Sequence, residues 1–116
     1  MPHICLKMTS AVPAAKVETT EIFAHIHEAI VNTIENATLS SCKSWVEQIE
    51  QPYRGDGSDL NPPFIVLSIA LFSGRPESQR KALAEQCFAY LRPLYSSAVA
   101  IFVEVRELNR ETCVNG

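Results

Sequence analysis

The segment Phe64-Ile65-Val66-Leu67-Ser68-Ile69-Ala70-Leu71-Phe72 constrains this chain more than any other, because only Ser68 interrupts its run of apolar side chains. A half-covered strand alternates apolar with polar residues, whereas a strand buried on both faces reads as one apolar run. The segment is far below the roughly 20 apolar residues needed to cross a bilayer as a helix. It is therefore expected to be a central strand, and the rest of the chain must supply what covers it.

Pro2 to Met8 reads as a first strand, with proline at the first position, where its missing N–H does least harm. After Pro13 comes a helical stripe in which Ile22, Ile26, Ile30 and Ile34 recur every four residues, widened by Phe23 and Val31. Glu18, Glu21, Glu28 and Glu35 lie largely off that stripe, and the helix is expected over about 14 to 36. Lys43 to Gln51 suits a second strand, with Trp45, Glu47 and Ile49 on one side and Ser44, Val46 and Gln48 on the other. Pro52 to Asp59 is dense in breakers, and Asn61-Pro62-Pro63 closes that loop.

Beyond the central strand, Ser73-Gly74-Arg75-Pro76-Glu77 turns the chain into a second helix. Pro76 suits a first helical position, and Glu77 lies where the helix dipole favours an anion. Leu83, Cys87, Leu91 and Leu94, with Ala84 and Phe88, form its apolar face. Ala98 to Leu108 is the last strand, alternating through Val103, Glu104, Val105 and Arg106.

The order is thus β-α-β followed by β-α-β, and a faint internal repeat supports it. Shifted by 61 residues, Pro2, Ile4, Leu6, Ile26 and Ile30 fall on Pro63, Ile65, Leu67, Cys87 and Leu91. Right-handed crossovers in two βαβ units place both helices on one face of a four-stranded mixed sheet, an α+β fold. Residues 1–116 are read as one domain. The opposite sheet face has no third layer to cover it, so association between subunits is expected.

Composition narrows the function. Hydrophobic content of 47% and charged content of 20% suit a soluble globular protein, and a net charge of −3 without a basic run argues against nucleic acid. No basic segment followed by an apolar one stands at the N-terminus, so a cytoplasmic location is expected and no membrane contact. Cys5, Cys42, Cys87 and Cys113 show no C-x-x-C spacing and read as buried thiols rather than a zinc or disulfide framework. His25 and His27 are two apart on a helix and do not share a face, so no metal pair is expected, nor any cofactor.

Pro2 is the candidate with chemistry. If Met1 is removed, Pro2 becomes a secondary amine, a base that no internal proline can supply. An α-amino group titrates at about 7.7–8.0, and burial or a neighbouring cation lowers that value. A base poised near the working pH is suited to proton abstraction. His3 alternates away from Pro2 and reads as structural, and Tyr53 and Arg54 stand on the breaker-rich loop, where they are candidates to rim a pocket.

The segment Phe72-Ser73-Gly74-Arg75-Pro76-Glu77-Ser78-Gln79-Arg80-Lys81-Ala82-Leu83 resembles the strand–Gly-Arg–helix element of the tautomerase superfamily. That superfamily includes 4-oxalocrotonate tautomerase, 5-carboxymethyl-2-hydroxymuconate isomerase and macrophage migration inhibitory factor. Phe102-Val103-Glu104-Val105-Arg106-Glu107-Leu108-Asn109 resembles the last strand of the isomerase branch. The resemblance is sharpest over 63 to 109 and finds little over 37 to 62. It implies that Pro2 is a general base and acid moving a proton in a small enolisable carboxylic acid, without a cofactor. It implies that Arg75 binds the substrate carboxylate and that three chains assemble as a homotrimer. Where the isomerase branch has a second arginine just before the tryptophan that Trp45 resembles, this chain has Ser40, Ser41 and Cys42, with Lys43 the one cation. The alternative from another class is a non-catalytic ferredoxin-like βαββαβ binding or subunit-interaction module, which needs neither Pro2 nor Arg75.

Overall fold

In the computed structural model, which describes residues 1–57 and 63–116, the central strand is where the apolar run places it. The strands are β1 (His3–Thr9), β2 (Lys43–Ile49), β3 (Phe64–Phe72) and β4 (Ala100–Leu108), and the helices are α1 (Thr19–Thr33) and α2 (Glu77–Leu91). The sheet order is β2-β1-β3-β4. β1 runs parallel to β2 and antiparallel to β3, and β3 runs parallel to β4, giving the mixed four-stranded sheet of two βαβ units.

The repeat has a geometric expression. Leu6 and Leu67, which the 61-residue shift equates, sit directly opposite each other in the β1–β3 pairing. A local two-fold axis therefore passes between them. It carries the Lys43 N–H bond to the Pro2 carbonyl (3.1 Å) onto the Ala100 N–H bond to the Pro63 carbonyl (2.9 Å).

Strand alternation sorts the side chains. Ile4 and Leu6 of β1, with Ile65, Leu67 and Ile69 of β3, point to the helices and are fully buried against Ile22, Ile26 and Ile30 of α1 and Leu83 and Leu91 of α2. Both helices thus cover one face. The other face is open but is less uniformly apolar than the sequence of β3 suggests. Phe102 is 60% exposed and Trp45 42% exposed there, while a polar row crosses between the apolar residues. In that row Trp45, Cys5, Ser68 and Glu104 are cross-strand neighbours, and the Ser68 hydroxyl donates to Glu104 Oε1 at 2.9 Å. Ser68, the one polar residue of β3, is thereby satisfied.

Element ends differ from the sequence expectation for local reasons. α1 spans 19–33 rather than 14–36 because Glu18 is extended, with its carbonyl accepting the first helical N–H groups from Glu21 and Ile22. At the other end Ile34 is extended and Asn36 adopts φ 68°, a left-handed backbone that asparagine tolerates. Ile34 remains buried, so the apolar stripe outlasts the helix. Pro76 is the residue that caps α2 rather than its first turn. α2 gives way to a 3₁₀ turn over Arg92–Leu94, where Pro93 has no N–H to continue the α-helical ladder. β4 starts at Ala100 because Val99 N–H is bonded to the Ser96 carbonyl in a turn. Ser58, Asp59, Asn61 and Pro62 of the expected loop lie outside the described residues.

Candidate functional site

The strand directions collect the chemistry at one end of the sheet. β1 and β2 begin there, and β3 and β4 finish there. Pro2, Lys43, the Gly74-Arg75 turn and the segment after Leu108 are therefore brought to a common edge, although they are far apart in sequence.

Pro2 is buried, and its carbonyl accepts the Lys43 N–H, which locks the starts of β1 and β2 together. The amino group on Met1 donates to the Ser41 carbonyl at 3.4 Å. A cavity of about 520 Å³ opens here, lined by Met1, His3, Lys43, Phe72, Leu108, Arg110 and part of the C-terminal segment, including Cys113. Its field is positive. Burial, the amino-terminal charge and Lys43, in that order, push the His3 imidazole below the usual histidine range. Burial raises the Cys42 thiol, and the same two cations pull it partly back.

Arg75 stands at the same end but does not line this cavity. Gly74 adopts φ 111°, a conformation that L side chains rarely accept, so the turn that precedes Arg75 depends on glycine. Glu107 anchors the turn: its Oε2 accepts the Gly74 N–H at 3.2 Å, and its Oε1 lies 3.6 Å from the Arg80 guanidinium. Arg75 Nε is buried without a protein acceptor. A buried donor without a partner is costly, so this atom is one to which a ligand oxygen would bring a gain.

His3 was read as structural, yet it lines the cavity, its ring 5.9 Å and edge-on from that of Trp45. Arg110 escaped sequence reasoning. It follows β4 in the 3₁₀ turn Arg110–Thr112, and its guanidinium sits 4.2 Å over the Phe72 ring. The signal that could have found it is positional: Phe72 pairs with Leu108, so a turn right after β4 brings a long side chain back over Phe72. His25 and His27 have separate partners, the first stacked on Tyr90 at 3.7 Å and the second hydrogen-bonded to the Ser44 hydroxyl. Tyr53 is exposed on its loop, away from this cavity. Among the described residues, no group of three or more His, Cys, Asp or Glu side chains is placed to hold a metal ion, and no helix is long and apolar enough to cross a membrane.

No protein-family model matches the chain, and no curated protein matches its sequence. Solved structures do match in shape, and they place the chain in the tautomerase-superfamily fold. A 5-carboxymethyl-2-hydroxymuconate isomerase from Deinococcus radiodurans R1 superposes with a TM-score of 0.80 at 16% identity, over 99% of this chain and 88% of that one. A fused 4-OT described as a symmetric trimer gives 0.72 at 15% identity, over 95% and 89%. A member of the cis-3-chloroacrylic acid dehalogenase family gives 0.72 at 12% identity, over 98% and 80%. At these identities the likeness is one of fold.

Proposed function

We propose that this chain is a cofactor-independent tautomerase acting on a small enolisable carboxylic acid, with Pro2 as the proton carrier. The observation that carries the reading is the burial of Pro2 at the sheet end that also holds the Gly74-Arg75 turn and a cavity of about 520 Å³ lined by its chain neighbours Met1 and His3 and by Lys43. The fold shared with isomerases, a 4-OT and a dehalogenase-family protein supports it.

Loss of Met1 frees the Pro2 nitrogen. Pro2 is buried at the start of β1, next to the start of β2 where Lys43 stands, a setting in which a secondary amine can serve as a base. Its lone pair takes a proton from the carbon beside the substrate carbonyl, leaving an enolate. The Pro2 ammonium then returns the proton to another carbon of the conjugated system, so the bond order shifts with no net change in atoms or electrons. Lys43, on the cavity, holds the carboxylate and offsets the charge that develops on the enolate, and Arg75 adds its charge from the adjoining turn outside the cavity lining. Burial sets the proton carrier, and the cations set the orientation.

The protein works as a homotrimer in the cytoplasm. Support for the assembly comes from the open sheet face, with Phe102 60% exposed, and from the fused 4-OT described as a symmetric trimer. The experiment uses chain whose mass shows loss of Met1, with phenylenolpyruvate and 2-hydroxymuconate as substrates. Pro2→Ala is expected to slow ketonisation by about 10²–10⁴-fold, the usual contribution of a positioned acid or base. Unchanged rates would remove Pro2 from the mechanism, and chain that keeps Met1 in its native host would favour the non-catalytic module.

A further inference from the structure

Lys43 opens β2 and Arg110 follows β4, so these two cations come from opposite edges of the sheet. They nevertheless line one cavity, because His3 of β1 and Phe72 of β3 form its floor between them. None of the residues that line it is acidic, and neither Lys43 nor Arg110 has an ion pair among the described residues. In a chain whose net charge is −3, a concave site with two unneutralised cations and no carboxylate is a local reversal of sign.

Arg110 is also held in a usable orientation. Its guanidinium carbon lies over the Phe72 ring, 4.2 Å from the centroid, a cation–π contact that holds the group at the cavity wall. The turn that carries it is fixed by Asn109, whose side-chain oxygen accepts the Glu111 N–H at 3.0 Å. A planar, oriented fork presents two parallel donors to a carboxylate, which a flexible ammonium such as Lys43 does not. Phe72 and Leu108 supply the apolar surface on which the rest of a ligand would lie.

We propose that Arg110 is the carboxylate fork of this cavity, and that the cavity takes a planar organic anion whose apolar body lies on Phe72 and Leu108. The inference deepens the proposed function and rests on it in assigning this end of the sheet to the substrate. Its test is binding rather than turnover, so failure of Pro2 as a base and failure of Arg110 as a fork are seen separately.

The probe is trans-cinnamate, a planar monocarboxylate, with neutral cinnamamide as its uncharged counterpart. Binding is followed by calorimetry and by the ring-proton resonances of His3, in protein that has lost Met1 and in its Pro2→Ala variant. Cinnamate should bind and shift the His3 resonances, and cinnamamide should bind at least about tenfold more weakly, the size of one charge-assisted contact. Arg110→Gln should weaken cinnamate by about tenfold or more, and Arg110→Lys should recover only part of that loss. Lys81→Gln removes the same charge from α2, on the side of the sheet away from the cavity, and should leave affinity within about twofold, as a remote and screened charge does. Cinnamate binding that Arg110→Gln leaves unchanged, or equal affinity for acid and amide, overturns the assignment, as does absence of His3 shifts on binding.

Discussion

Two neighbouring residues of β3 offer a direct test of how the sheet is covered. Leu67 faces the helices with none of its surface exposed, at the centre of the sheet and opposite Leu6. Val66 faces the open side and is half-buried in the isolated chain. Leu67→Ala removes about three methylene equivalents at ~0.8 kcal/mol each, or ~2.4 kcal/mol of transfer free energy. Strands on both sides and helices above leave the site little room to collapse, so a cavity contribution should bring the loss to ~3–4 kcal/mol. Val66→Ala removes two methyl groups, worth ~0.8 kcal/mol if half their burial is lost, and ~2 kcal/mol if other copies of the chain cover that face. Urea unfolding at two protein concentrations tenfold apart reads both numbers. The Leu67 loss should be the same at each concentration, because the helices of its own chain cover that residue. The Val66 loss should approach ~2 kcal/mol rather than ~0.8 kcal/mol and be concentration-dependent, accompanied by a fall in assembled mass in light scattering. A Leu67→Ala loss below ~1 kcal/mol would refute the buried-face argument, and a small, concentration-independent Val66 loss would refute coverage of the open face by other copies.

Acid should weaken the fold through His27 and His3, whose imidazoles burial holds below the ordinary histidine range. A histidine depressed in the folded state binds its proton more readily when unfolded, so stability should fall as pH drops from ~6.5 toward the folded values. His27→Gln should flatten that loss in denaturant titrations, and an unchanged slope would exclude His27 as a contributor. Thiol titration should show one fast site, Cys113, which is exposed, while Cys87, whose thiol burial pushes up to about 12, reacts only on unfolding. A rapid second equivalent from Cys87 would contradict its burial. Asn109→Ala removes the side-chain cap at the Arg110 turn, and the loss of ~0.5–1 kcal/mol of local order should weaken cinnamate binding several-fold without changing overall secondary structure.

The strands and the stripe of α1 were legible because they rest on periodicity and burial. Phe64–Phe72 emerges with the same bounds in sequence and structure, since an all-apolar segment between breakers has few other options. The ends of α1 were not legible, because Ile34 continues the apolar spacing from an extended residue and spacing alone cannot register that change of backbone. At the site, Lys43 was found from the residues missing around it, and it does line the cavity. Arg75 was found by resemblance and sits at the expected turn, though it does not reach the cavity in this chain. Arg110 and His3 were missed because their role depends on which strand ends meet at one edge, and that is a property of strand order rather than of local sequence.

The local two-fold axis between Leu6 and Leu67 means that the sheet has two geometrically equivalent ends of unequal endowment. At the far end Pro63 takes the place of Pro2, Ala100 that of Lys43 and, by the same 61-residue shift, Ala14 that of Arg75. An internal proline nitrogen is an amide, so the far end offers no amine, and alanines stand there in the places of Lys43 and Arg75. The two ends are thus alike in backbone and unlike in side chains. Under the proposed mechanism each copy of the chain therefore carries one end able to act through a proline amine rather than two.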